Sequence, residues 1–274
     1  MIKSLIQSIR KLVPDSIWQI GVRWRHARNN HHRAASDRLC PKLWEVTQGN
    51  IASGPFMGLK YIQEAAGSSF LPKLTGTYEM ELWPVFASIA ERGASFDGVV
   101  DIGAAEGYYA IGLARMCPNA CVVSYEIDNH ARELQTELAR RNGLSDRLQI
   151  LGAADVASIE AKLTQFKRVL VVCDIEGAEK EILDPSLIPS LAVAEILVET
   201  HESKAPGIKQ LLRERFSATH TIELYENCKR SAAVCPDVLR RHLSDDEAAT
   251  AVWEDRGLVQ HWMWMKPTHK GIEK

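Results

Sequence analysis

From residue 96 onward the sequence alternates between short apolar segments and amphipathic segments, and this alternation restricts the fold more than any other feature. The apolar segments have the length of buried strands: Gly98–Ile102, Cys121–Glu126, Leu148–Leu151, Val169–Asp174 and Ile196–Thr200. Helical periodicity separates them, over Tyr108–Met116, Asn129–Arg141, Val156–Phe166 and Ala178–Leu183. Strands that alternate with helices in this way predict a mostly parallel sheet covered by helices.

The 274 residues divide into three predicted parts: a basic helical extension over 1–45, a bridging segment over 46–95 and an α/β domain over 96–274. In the bridging segment we expect a short strand over Leu59–Ile62 and a helix over Met80–Arg92. Two late strands are expected over Thr219–Tyr225 and Gln260–Met265. In the last of these, alternation places Trp262 and Trp264 on one face, where core filling is favoured over stacking on a sugar ring.

The N-terminal part is basic, with a formal charge of +7 over residues 1–43 in a chain whose net charge is −2. The near-neutral total argues against a surface built throughout for nucleic acid. Residues 1–30 fit an amphipathic helix that contacts anionic lipid. The alternative, which we favour, is an extension that packs on the domain or on the second subunit of a homodimer. Scattered cysteines without a CxxC pair and the lack of a secretory signal predict a cytoplasmic protein, with peripheral membrane contact left open.

A glycine-bearing turn follows the first strand, within Val99–Tyr109, and leads directly into a helix. This arrangement binds nucleotides in open α/β sheets. A dinucleotide fingerprint needs G-x-G-x-x-G, but here Gly103 and Gly107 are separated without the third glycine in phase. Asp101 at the strand end would repel a pyrophosphate and suits a ligand with a cationic amine. The second strand ends in Glu126, whose carboxylate can accept hydrogen bonds from both ribose hydroxyls of a nucleoside.

The run D-x-G-x-x-x-G over residues 101–107 resembles motif I of the class I S-adenosylmethionine (SAM) methyltransferases. The resemblance implies SAM as cofactor. It also implies a Rossmann-like, open, mostly parallel seven-stranded sheet with an N-terminal helical extension, in which residues 46–95 cap the cofactor site. The residues that it implies for cofactor binding are Tyr78, Glu79, Asp101, Gly103, Ala104, Gly107, Glu126, Ile127, Asp155 and Asp174.

Two of these assignments have structural alternatives. Asp155 follows the third strand in a segment similar to the family's adenine-side loop, but it also suits a helix N-cap. Tyr78 and Glu79 lie in a Gly-Thr-Tyr-Glu segment similar to uncharacterised bacterial members of the superfamily. The same segment could be a helix N-terminus in which Thr77 is the cap and Glu79 complements the helix dipole.

The segment D-I-E-G-A-E over residues 174–179 closely resembles the FkbM-like methyltransferases, which are associated with O-methylation of sugars and secondary metabolites. It lacks the D-P-P-Y-like run typical of base amino-group methylases. We therefore expect a small-molecule or glycan hydroxyl as acceptor. Two alternatives stay open. One is a nucleic-acid or protein methyltransferase that uses the basic arm. The other is a non-catalytic module with this fold.

Proton removal from an acceptor hydroxyl requires a base, and we expect Asp174, Glu176, Glu199 and His201 to converge at the ends of the predicted strands. His201 follows the fifth strand and titrates near neutrality without a large shift, so we predict that it is the base. Asp174 and Glu176 follow the fourth strand and would orient the acceptor or hold the imidazole. The alternative for His201 is a polar residue without a catalytic part. A divalent cation could also bind such a cluster, but the spacing does not demand one and we predict no metal.

Overall fold

The computed structural model describes residues 32–254, 256 and 260–268. Within these residues seven strands form one sheet in the order β3-β2-β1-β4-β5-β7-β6. In chain order the strands are β1 Gly98–Ile102, β2 Cys121–Tyr125, β3 Leu148–Leu151, β4 Val169–Cys173, β5 Glu195–Thr200, β6 His220–Glu226 and β7 His261–Pro267.

Helices cover the sheet and precede it in the chain. The first described helix, α1, covers residues 32–47. The others are α2 Phe70–Thr75, α3 Trp83–Arg92, α4 Tyr108–Met116, α5 Asn129–Arg141, α6 Val156–Leu163, α7 Glu179–Ile182, α8 Ile208–Phe216, α9 Asp237–Arg240 and α10 Asp245–Ala251. No helix in the described part of the chain is both long enough and apolar enough to cross a bilayer.

The strand pairing confirms the predicted fold. Strands β3, β2, β1, β4 and β5 pair in parallel, and β7 is antiparallel to both of its neighbours, β5 and β6. This is a Rossmann-like, open, mostly parallel seven-stranded sheet, with a helical segment before it. The chain order reverses between β1 and β4, and open α/β sheets bind ligands at the carboxyl ends of the strands beside such a reversal.

The core lies in two layers, one on each face of the sheet. The last strand shows why both layers are apolar: Trp262 and Trp264 pack into one layer, while Met263 and Met265 pack into the other. All four side chains are buried. Alternate residues of a strand point to opposite faces, so this sequence covers both faces of the sheet at once. The core-filling role predicted for the tryptophans is confirmed.

The structure corrects three local expectations. Residues 59–62 do not form a strand; they contribute an isolated antiparallel bridge between Asn50 and Lys60. The predicted helix over residues 80–92 is a 3-10 turn over Met80–Leu82 followed by α3. Thr77 does not cap it, since its hydroxyl contacts the hydroxyl of Thr75 at 2.9 Å.

The basic arm falls mostly outside the described residues. The amphipathic helix predicted within residues 1–30, with its lipid contact, lies wholly outside them. Residues 32–45 of the predicted extension belong to α1, where Leu39 and Leu43 are buried in the core layer that also contains Trp262. This part of the extension therefore packs on the domain.

Candidate functional site

A cavity of about 2090 Å³ opens at the carboxyl ends of β1, β2, β4 and β5. The glycine turn after β1 and the acids that follow β2, β4 and β5 all contribute to its walls. The bridging segment and α1 contribute on the opposite side, through residues such as Lys73, Tyr78 and Cys40. Side chains that are far apart in the sequence therefore meet in one space.

Glu126 is held at one end of this cavity by backbone amides. The N–H of Ala105 donates to Oε2 of Glu126 at 2.8 Å, and the N–H of Asp128 donates to Oε1 at 2.8 Å. Gln135 of α5 also stabilises the turn, because its side-chain amide donates to the carbonyl of Ala105 at 2.7 Å. The glycine turn and the acid after β2 thus form one hydrogen-bonded unit, and the carboxylate is oriented before any ligand arrives.

The backbone of the turn requires conformations that glycine adopts readily. Gly103 has φ of +84° and Gly107 has φ of +92°. A Cβ atom at Gly103 would also collide with the carbonyl oxygen of Asp174. Ala105 lies between them with φ of +47°, in a region that alanine rarely occupies. The turn therefore holds Ala105 with backbone strain.

Six of the residues predicted to bind the cofactor line the cavity: Tyr78, Gly103, Ala104, Glu126, Ile127 and Asp174. The other four do not line it: Glu79, Asp101 and Gly107 are buried, whereas Asp155 is exposed. Asp155 is the N-cap of α6, since its carboxylate accepts the N–H of Ser158 at 2.7 Å. The cavity wall beside it is formed by the residues just before it, including Ala153 and Ala154.

Asp101 is buried within β1, and its Oδ2 has no hydrogen-bond partner among the described residues. Burial, and then the nearby charge of Asp174, raise the pKa of Asp101 to about 8. The carboxyl group is therefore largely protonated at neutral pH. A cation bound close to it would favour the ionised form, which is consistent with the predicted position near a cofactor amine.

An acid–imidazole cluster, formed by Asp174, Glu176, Glu199 and His201, lies at the ends of β4 and β5. Three carboxylate oxygens surround Nε2 of His201: Asp174 Oδ1 at 3.5 Å, Glu176 Oε2 at 3.4 Å and Glu199 Oε2 at 3.6 Å. The three residues predicted for catalysis therefore meet in one place on the cavity wall. Glu199 joins them because it precedes His201 by two positions on the same strand end.

Glu179 holds the other side of the His201 ring. Its Oε1 lies 2.6 Å from Nδ1, and both side chains are buried. Burial alone would lower the pKa of His201, but the hydrogen bond with Glu179 and the charge of Asp174 raise it above the ordinary value. Burial alone would raise the pKa of Glu179, but its hydrogen bond with His201 outweighs burial, and the pKa lies below the ordinary value. The two groups thus favour an ionised pair, with Nε2 directed at the cluster.

The same cluster has the spacing of a cation site. Asp174, Glu176 and His201 each offer one ligand atom, and these atoms lie within 4.8 Å of one another. Burial raises the pKa of Asp174, and the His201 charge opposes that rise. An imidazolium beside these acids supplies positive charge without a metal. The spacing therefore permits a divalent cation without requiring one.

Arg256 joins the bridging segment to the sheet. Its guanidinium contacts the carboxylates of Glu79, Glu199 at 2.6 Å and Glu254 at 3.1 Å. Glu79 is fully buried, and burial together with Glu199 raises its pKa. The ring of Tyr78 lies 5.5 Å from the same guanidinium and faces the cavity. Of the predicted pair, Tyr78 therefore faces the cavity, whereas Glu79 positions Arg256.

Sequence reasoning missed Glu179, Arg256 and Lys73. Glu179 is the last residue of the D-I-E-G-A-E segment, and its closeness to the end of β4 in the sequence could have predicted a place near His201. The other two carry no local signal, because each gains its partner from a distant part of the chain.

No protein-family model matches the sequence, and no curated protein matches it either. Several solved structures are similar. An O-methyltransferase from Bacillus cereus in complex with SAH is 13% identical, with 66% of this chain and 77% of that chain covered and a TM-score of 0.42. TomG from Streptomyces achromogenes, an O-methyltransferase involved in tomaymycin synthesis, in complex with SAM, is 14% identical, with coverage of 66% and 77% and a TM-score of 0.42.

TrmN from Thermus thermophilus is 16% identical to this chain, with a TM-score of 0.43. The aligned part covers 72% of this chain and 52% of TrmN. At such identities and scores the likeness adds nothing to the sheet topology, which the strand pairing establishes directly. The chemistry of the site rests on the contacts within this chain.

Proposed function

We propose that this chain is a SAM-dependent methyltransferase that methylates a hydroxyl group of a sugar or another small hydroxylated metabolite. One observation carries the proposal: the cavity that contains the oriented carboxylate of Glu126 also contains the acid–imidazole cluster. A nucleoside site and a proton-accepting group thus share one space, as group transfer from a nucleoside cofactor requires. The acceptor class follows from the resemblance of residues 174–179 to the FkbM-like methyltransferases.

The residues at the nucleoside end fit such a cofactor. Glu126 has both carboxylate oxygens fixed by amides and retains lone pairs for ribose hydroxyls. Ile127, which follows it, is largely exposed and lies on the cavity wall, where an apolar side chain can cover an adenine ring. Together these residues favour a nucleoside over a phosphate-bearing ligand, because both features recognise sugar and base.

When bound, SAM supplies a methyl group on a sulfonium, which is an electrophile with a neutral leaving group. Above its raised pKa, where the ring is neutral, His201 would accept the proton of the acceptor hydroxyl at Nε2 as that oxygen takes the methyl group. The products would be a methyl ether and S-adenosylhomocysteine (SAH), with the proton on His201. Glu179 fixes the ring so that Nε2, not Nδ1, faces the acceptor. Asp174 and Glu176 orient the hydroxyl.

Calorimetry with SAM and SAH tests the first half of this proposal. We expect both to bind, and failure of both at about millimolar concentration would refute it. Transfer of a labelled methyl group to a panel of hydroxylated sugars and metabolites tests the second half. Binding without turnover on the whole panel would favour the non-catalytic alternative, and turnover on RNA or protein alone would favour the alternative that uses the basic arm.

A further inference from the structure

Lys73 is a buried cation on the cavity wall that the proposed proton transfer does not use. It lies in α2, and its side chain is 4% exposed. Burying a charged ammonium is costly unless its donors find acceptors. Its surroundings therefore indicate which ligand group the site accommodates.

The ammonium donates a hydrogen bond to Oε1 of Glu106, and no other acceptor is assigned to it among the described residues. Glu106 is itself well satisfied, by the hydroxyl of Tyr61 at 2.6 Å and by the N–H of Ala66 at 3.0 Å. The ring centroids of Tyr78 and Tyr108 lie 5.0 Å and 5.3 Å from the ammonium nitrogen, and neither ring supplies a conventional hydrogen-bond acceptor to it. An ammonium has three donors, so Lys73 retains capacity for an anionic acceptor from the cavity.

Lys73 is connected to both ends of the proposed site through its neighbours. Its partner Glu106 follows Ala105, whose N–H holds Glu126 at the nucleoside end. The ring of Tyr78 lies close to both Lys73 and Arg256, and Arg256 contacts Glu199 in the acid–imidazole cluster. Arg256 is already bonded to three carboxylates, so it is a weaker candidate for a ligand anion.

We propose that Lys73 binds the carboxylate of the cofactor's amino-acid portion and makes the cavity selective for nucleosides that carry it. This inference rests on the proposed function and assigns the one anionic group of such a ligand to a buried cavity cation that retains unused donors. Charge-assisted hydrogen bonds of this kind are among the stronger polar contacts in proteins. The Lys73–Glu106 pair also accounts for the buried acid of the glycine turn, because Glu106 holds the lysine beside that turn.

Decarboxylated SAM is a sharp probe, because it keeps the nucleoside, the sulfonium and the amine but lacks the carboxylate. By calorimetry we expect the unmodified chain to bind SAM at least tenfold more tightly than decarboxylated SAM. Lys73→Gln should remove most of that preference by weakening SAM alone. Lys60→Gln, a change at an exposed lysine of the same segment, should leave both affinities unchanged.

Lys73→Gln leaves Glu106 buried without its cation, so the variant could fail to fold. The double variant K73M/E106Q removes both charges and should fold, as circular dichroism would verify, while losing the same preference. Equal affinity of the unmodified chain for the two ligands, or a preference that survives in the variants, would overturn the role of Lys73 and leave the proposed function intact. Failure of the unmodified chain to bind either ligand would instead overturn the proposed function and, with it, this inference.

Discussion

Nδ1 of His201 lies 2.6 Å from Oε1 of Glu179, and this buried contact joins the end of β5 to the first residue of α7. A second bond anchors the acid, since the N–H of Gly177 donates to the same oxygen at 3.1 Å. The contact determines which ring nitrogen faces the cavity. It also couples the charge of the imidazole to that of a carboxylate that no solvent reaches.

Glu179→Gln should change the pH dependence of methyl transfer more than its maximum rate. The amide keeps an acceptor for Nδ1–H but removes the negative charge that helps to raise the pKa of His201. The acidic limb of the kcat/KM profile should therefore move to lower pH. Glu179→Ala should lose the orientation too, and be about tenfold slower or more. Glu181→Gln, at an exposed position of the same helix, is the control, and an unmoved limb in Glu179→Gln would contradict the coupling.

His201→Ala should bind SAM normally but methylate the acceptor at least tenfold more slowly, because positioned bases contribute about 10² to 10⁴ in rate. In the unmodified chain the rate should fall as the pH drops through the pKa of His201, which lies above the ordinary 6.5, because the protonated ring cannot accept a proton. That limb should be absent from the variant. His130→Ala, an exposed histidine on α5, should behave as the unmodified chain. A normal rate in His201→Ala would eliminate the base role.

Glu126→Ala should weaken SAM by about 1–3 kcal/mol, through loss of charged hydrogen bonds to the ribose. Isothermal titration calorimetry measures this directly. Glu133→Ala, at an exposed position on the following helix, provides the matched change and should have no effect. The placement of Glu126 would be wrong if its variant kept the affinity of the unmodified chain.

Ala105→Gly should raise the free energy of unfolding by up to about 1 kcal/mol. The left-handed conformation at Ala105 costs an L-residue about 1–2 kcal/mol, and the greater freedom of glycine in the unfolded chain offsets part of the gain. Ala104→Gly is the matched control: its φ is negative, so it should lower stability by about 0.5–1 kcal/mol. Denaturant unfolding of the ligand-free chain measures both, and changes of the same sign would contradict the strain at Ala105.

The periodicity of apolar residues predicted the bounds of strands and helices correctly where the apolar positions are also the buried ones. The bounds of β1, β3, α4 and α5 coincide with their predicted ranges, because each apolar or amphipathic run ends at a turn residue or a cap. The strand predicted over residues 59–62 was wrong, because an apolar run alone does not distinguish a strand from a buried loop. Its apolar residues are buried by the packing of a loop, and within the described residues they form one isolated bridge and no ladder with a partner strand.

The sequence by itself determined the order of strands and helices, the glycine turn, the acid after β2 and the polar residues at the ends of β4 and β5. These follow from short-range periodicity and from the rule that parallel strands share one ligand-facing edge. The tertiary structure alone decided which charges meet. Lys73 finds Glu106 and Arg256 finds Glu79 across long stretches of chain. Such pairs depend on how the bridging segment packs on the sheet, so they cannot be predicted from the spacing of nearby residues.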